Sequence, residues 1–193
     1  FDMELIAEIG KVAGFEVEVK NQAFDGLLPA LQSGKIDLII AGMTVTDERK
    51  KAVDFSESYY TASQVIIVPA DNAAIKSFDD LKGKNVGVQI GTTGDTVISE
   101  IKEITNTKYN NGSEAVLALT TQKVDAVVID NEPAKNFVAK NTGLKVVDTG
   151  AVKEDYAIAI AKGNKELLDK VNTGLKTLKE NGKYDELIAK WFK

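Results

Sequence analysis

Leu5, Ile6, Ile9, Val12 and Ala13 recur at helical spacing near the start of the chain, and Gly14 follows them. The pattern predicts an opening helix with Asp2 as its N-cap and Gly14 just past its end. Residues 15–19, Phe-Glu-Val-Glu-Val, alternate apolar and polar with the period of a half-buried strand. A helix over 25–32 and a buried strand over 36–40 come next. Residues 59–68 have strand composition and run into Pro69, Asp71 and Asn72, a turn-rich passage suited to joining two lobes. Beyond it the pattern predicts a short capped helix at 77–81, a strand at 85–90, a helix to about residue 103 and a helix at 114–121. A strand at 124–129 and a helix at 132–140 follow, and the apolar strand at 156–160 is able to carry the chain back. From Asn164 the tail has helical periodicity, broken at Asn181-Gly182.

Two of these stretches are near copies. The segment from Leu31 through Lys35 and Asp37 to Ile40, and the segment from Leu119 through Lys123 and Asp125 to Val128, both read as a helix end, a Lys and an apolar strand. Their spacing is too long for a solenoid repeat and suits two copies of a small α/β lobe. A bilobal chain with two crossings is expected: 1–62 in the first lobe, 63–158 in the second, and 159–193 back in the first. In such folds a helix normally follows a strand of its own sheet. None precedes the opening helix, so a strand upstream of Phe1 is expected to have been cut away, left out of the numbering or rearranged.

Hydrophobic residues fill 44% of 193 positions, ample for real cores. No uninterrupted apolar run approaches the roughly 18 residues of a membrane span, and no stretch reads as a signal peptide. The 24 basic residues are scattered among 29 acidic ones, which argues against a nucleic-acid surface. With no Cys and no His, thiol nucleophiles, Ser-His-Asp triads and nearly all transition-metal sites drop out. A calcium loop of the Asp-x-Asp-x-Asp-Gly kind is also absent, so neither metal nor cofactor is expected.

Ligands of open α/β sheets bind at the carboxyl ends of strands. After the first copy stand Gly42, Met43, Thr44 and Arg49: glycine lets a backbone approach a ligand, Thr44 offers a hydroxyl, and the Arg49 fork matches a carboxylate. The same stretch also reads as a strand end and a helix capped by Thr46, with solvated basic residues. After the second copy stands Asp130, suited to an ammonium or equally to capping the next helix, a role Asn131 could also fill. Gly91-Thr92-Thr93-Gly94 joins a strand to a helix, where free N–H groups collect anions, or is an ordinary Thr cap. Phe24 either flanks a ligand or packs in the core. A carboxylate holder on one lobe and an ammonium holder on the other match the two charged ends of an amino acid. Phe55, Tyr59 and Tyr60 read as hinge packing and Trp191-Phe192 as a staple for the last helix. No acid-base geometry is evident at Asp54, Glu57, Asp79 or Asp80.

The run from Gly42 to Ser56, with Phe24-Asp25-Gly26-Leu27, Gly91-Thr92-Thr93, Asp130 and the ending from Gly182 to Phe192, resembles the polar-amino-acid solute-binding proteins of ABC importers. The resemblance covers almost the whole chain. It implies a periplasmic-binding-protein-like α/β fold of type II, two lobes closing on one free L-amino acid, and a membrane permease as partner. It also implies a periplasmic or extracellular location, with a lipid anchor as one form of it. Carried over, Arg49 and the Thr92 and Thr93 amides would hold the α-carboxylate. The Gly42 carbonyl, Thr44 and Asp130 would hold the α-ammonium, Phe24 would stack on the side chain, and Gln89 would tune side-chain choice. The wording at 61–68 and 89–94 is most similar to arginine binders, then to glutamine binders. Members of the family begin with a strand and a loop bearing acidic and aromatic pocket residues, which this sequence lacks. Two other readings use the same scaffold: a receptor's ligand-binding domain, and an enzyme such as a cyclohexadienyl dehydratase.

Overall fold

In the computed structural model, which describes residues 1–192, the chain crosses between two units. Residues 1–22, 26–61 and those from Asp155 onward make the first, and 23–25 with 62–154 make the second. The chain runs α1 (Asp2–Ala13), α2 (Leu27–Gln32), β1 (Leu38–Ile39), α3 (Asp47–Ala52), β2 (Val53–Phe55) and β3 (Tyr60–Pro69). Then come β4 (Asn85–Gln89), α4 (Thr93–Glu100), β5 (Thr105–Tyr109), α5 (Gly112–Thr120), β6 (Ala126–Asp130) and α6 (Asn131–Lys140). It closes with β7 (Leu144–Val147), β8 (Lys153–Tyr156), β9 (Ala159–Ala161), α7 (Lys165–Glu180) and α8 (Lys183–Trp191).

In the first unit β9 lies between β1 and β2, antiparallel to both, with Ile39 and Phe55 each opposite Ala159. Helix α1 buries Leu5, Ile6 and Ile9, and α7 buries Val171, Leu175 and Leu178 along one stripe. The two helices meet at Gly174, where a Cβ would stand 2.8 Å from Ile9 Cγ2, so the close approach requires glycine. The Asn181-Gly182 break appears as expected, with Gly182 in the left-handed region (φ 80°) between α7 and α8.

The sheet of the second unit has the order β5-β4-β6-β3-β7, with β8 also on β3. Strand β4 runs parallel to β5 and β6, while β3 is antiparallel to β6 and β7. Its two faces feed two cores. Val65, Ile67, Val127 and Ile129 pack with α5 on one side, and Ile66, Val68, Val86, Val88 and Val128 pack with Ile98 of α4 on the other. A sheet covered on both faces needs continuous apolar strands, which is why 65–68 and 126–129 read as unbroken runs.

Several expectations are corrected. Asp2 does not cap α1: Phe1 holds that position, and the Asp2 carboxylate turns to Gly42 and Tyr59. Residues 15–19 form no strand. Val17 and Val19 are 36% and 55% exposed, and a groove of about 650 Å³ separates this segment from β1, lined also by Ile6, Leu38 and Ile40. Alternation makes a strand only where a neighbour completes the ladder, and among the described residues β1 pairs with β9 alone. The buried strand over 36–40 shrinks to Leu38–Ile39, and α4 stops at Glu100. The expected strand over 156–160 is split between β8 and β9. Its middle is held otherwise: Ala157 N–H donates to the Met43 carbonyl and Ile158 N–H to Ser56 Oγ.

Candidate functional site

On the first unit the candidate residues follow β1. Gly42 takes φ +56°, and a Cβ there would lie 3.2 Å from the Tyr156 ring, so the turn demands glycine. Its N–H donates to Asp2 Oδ2 at 2.8 Å and lies 3.1 Å from the Tyr59 hydroxyl, which itself donates to Asp2 at 3.0 Å. Burial raises the Asp2 carboxyl above its ordinary pKa, and the Gly42 and Tyr59 hydrogen bonds work against that rise. Met43 is fully buried, its side chain packed in the core. Thr44 is buried and bridges to Tyr156.

Thr46 caps α3, its Oγ1 accepting from Arg49 N–H at 3.2 Å. The Arg49 side chain is nevertheless not solvated. It is buried, and Nη1 donates to the Thr44 carbonyl at 2.6 Å. That bond ties the fork to the turn after β1. The Thr46 cap of the structural reading is therefore present, while the solvated Arg49 that reading expected is not.

On the second unit, Gly91 (φ +78°) lets the loop pass Asp25, whose Cβ would be 3.2 Å from a Cβ at 91. Thr92 caps α4, its Oγ1 accepting from Asp95 N–H and donating to the Gln89 carbonyl. Thr93 Oγ1 instead donates to Glu154 Oε2 at 2.7 Å and accepts from Gln64 Nε2 at 3.0 Å. Asp130 stands at the N-cap position of α6 but makes no capping hydrogen bond; its Oδ1 accepts from Gln64 Nε2 at 2.5 Å. Asn131 Oδ1 accepts from Ser63 N–H. Phe24 is half-buried in a 3-10 turn (Phe24–Gly26), and Gln89 Nε2 reaches the Asn110 carbonyl at 3.5 Å. Gln64 thus brings Thr93 and Asp130 together.

Sequence reasoning missed Asp2, Gln64, Asp95 and Glu154. Gln64 carried a signal, a lone amide inside an apolar strand; so did Asp95, three residues after the cap Thr92. Asp95 accepts from Gly91 N–H, Ser99, Asn106 and Lys108 Nζ, the last at 2.9 Å. Burial pushes its carboxyl up, but these donors outweigh burial and hold it below the ordinary value of 3.8. A depressed folded-state pKa stabilises above the unfolded value and loses that contribution as pH falls through the folded one. Asp95→Asn is therefore expected to cost about 1.5–3 kcal/mol near neutrality. It should also flatten the fall in melting temperature below about pH 4. Melts across pH check this; a parallel acid limb in the variant would show that Asp95 is not the group responsible.

The family model for bacterial extracellular solute-binding proteins, family 3, matches residues 1–193. An arginine-binding extracellular protein of Bacillus subtilis (strain 168) is 39% identical over 198 aligned positions, 100% of this chain and 77% of that one. The solved structure of an ancestral arginine-binding protein bound to arginine matches with a TM-score of 0.96 at 47% identity, covering 100% of this chain and 87% of the other. An ancestral amino-acid-binding protein, described as a precursor of cyclohexadienyl dehydratase, matches with a TM-score of 0.93 at 43% identity, over 100% of this chain and 85% of that one. The expected α/β, type II periplasmic-binding-protein-like fold is the one found. With a whole-chain family match and relatives of this identity, the chain belongs to family 3 of the bacterial extracellular solute-binding proteins.

Proposed function

We propose that this protein binds one free L-amino acid, arginine first and glutamine next, and hands it unchanged to the permease of an ABC importer at the outer face of the cell membrane. The observation that carries the reading is the division of charge: a buried Arg49 fork on the first unit and an Asp130 carboxylate held by the Gln64 amide on the second. Arg49 and the Thr92 and Thr93 amides take the α-carboxylate. The Gly42 carbonyl, Thr44 and Asp130 take the α-ammonium, with Met43 fixing the turn between them. Phe24 lies against the ligand side chain and Gln89 sets its class. Arginine stands first because similar proteins are named for it.

A dehydratase needs a protonated acid aimed at a leaving group. Asp130 and Glu154 are instead both tied to the Gln64 amide within the second unit, an arrangement that supports binding without turnover. A thermal-shift screen over the twenty amino acids, followed by analysis of the recovered ligand, tests the reading. Ligand at a hundredfold over Kd should add about 2.7 kcal/mol. Stabilisation by leucine or phenylalanine, with none by arginine, lysine, histidine or glutamine, would refute the assignment. A converted ligand would favour the enzyme.

A further inference from the structure

Gln64 lies on β3 opposite Asp130 in the ladder with β6, and is only 2% exposed. The strand residues that follow it, Val65 to Val68, are apolar, and an aliphatic side chain would fill the position without a buried amide to satisfy. The amide is instead the shared donor of a polar cluster. Nε2 donates to Asp130 Oδ1 at 2.5 Å and Thr93 Oγ1 at 3.0 Å, and reaches Glu154 Oε2 at 3.3 Å. Its Oε1 is buried and accepts no hydrogen bond, a cost the fold carries. The chain also accommodates it with a glycine, since a Cβ on Gly94 would stand 2.9 Å from that oxygen. A buried group kept at such a cost, between two carboxylates and a hydroxyl, serves the placement of those groups more than the stability of the sheet.

We propose that Gln64 is a positioning residue of the amino-acid site: its amide fixes the Asp130 carboxylate and the Thr93 hydroxyl before the ligand arrives. This rests on the function proposed above. Without the amide, Asp130 loses a short hydrogen bond that helps to set its rotamer, and Asp130 and Glu154 lose the hydrogen-bonding group common to both. Part of the binding free energy then goes into ordering the carboxylate.

The test compares Gln64→Met with the parent in three measurements: calorimetric affinity for arginine, affinity for its α-hydroxy analogue lacking the ammonium, and the Asp130 carboxyl pKa by carbon NMR. Arginine binding should weaken at least about tenfold, as for loss of a hydrogen bond to a charged group. The α-hydroxy analogue should respond little, and the loss should vanish on an Asp130→Asn background. The Asp130 pKa should rise, because the ionised form has lost a donor. Gly94→Ala, which crowds Oε1 while favouring α4, should reproduce part of the loss and guards against a misfolded Met variant. Equal weakening of both ligands, an undiminished effect in Asp130→Asn, or an unmoved Asp130 pKa would each overturn the proposal. A parent that binds no amino acid would defeat the proposed function instead, and the NMR measurement would still decide the role of Gln64.

Discussion

Replacing Arg49 by Lys is expected to weaken amino-acid binding at least tenfold, about 1.4 kcal/mol or more. The change keeps the charge and a donor for the Thr44 carbonyl, which Arg49 Nη1 now meets at 2.6 Å. It removes the planar fork, whose two parallel bonds to a carboxylate are charge-assisted and matched in geometry. Because the structural bond can be remade by an ammonium, stability without ligand should move by about 1 kcal/mol or less. The amide of the same amino acid, which lacks the carboxylate, should bind the parent poorly and be nearly indifferent to the substitution. Calorimetry on both ligands and a melt of the free protein measure all three quantities. Lower stability with intact affinity would make Arg49 a structural residue that holds the turn after β1, and the carboxylate site would lie elsewhere.

The residues proposed for the two ends of the ligand were legible as residue types, because charged groups at strand ends stand out against apolar runs. Their partners were not. Arg49 is held by a backbone carbonyl, which leaves no mark on sequence, and Asp130 is held by Gln64 across a ladder whose register only the folded sheet defines. The same contrast runs through the fold. Strands β3, β4 and β6 were readable because both their faces are buried. Strand β5, Thr-Asn-Thr-Lys-Tyr, was not: its place at the sheet edge comes from backbone pairing with β4, and Asn106 and Lys108 on one face point at Asp95 instead of a core. Strands β7 and β8 are short and carry polar or charged residues, so no period announces them. Residues 15–19 failed in the opposite sense, with a clear period and no partner to pair with among the described residues.

Asp130→Asn separates charge from shape at the ammonium end. Asn keeps an oxygen able to accept from Gln64 Nε2, so the polar cluster on the second unit retains its geometry. Since Asp130 makes no capping bond to α6, helix stability gives no reason for a loss either. What the substitution removes is the negative charge. If Asp130 pairs with the ligand's ammonium, binding should weaken by about 2–5 kcal/mol, much of it from an ammonium left buried without its counter-charge. That range is about 30-fold to several-thousand-fold in Kd. The α-hydroxy analogue, with no ammonium to lose, should bind the variant at least as well as the parent, because a carboxylate facing a hydroxyl gains no charge pairing. Calorimetry on the four combinations of protein and ligand yields the coupling directly as a double-difference cycle. An unchanged affinity for the amino acid in the variant would show that Asp130 does not face the ammonium, and would move that role to Glu154, the other carboxylate bonded to the Gln64 amide.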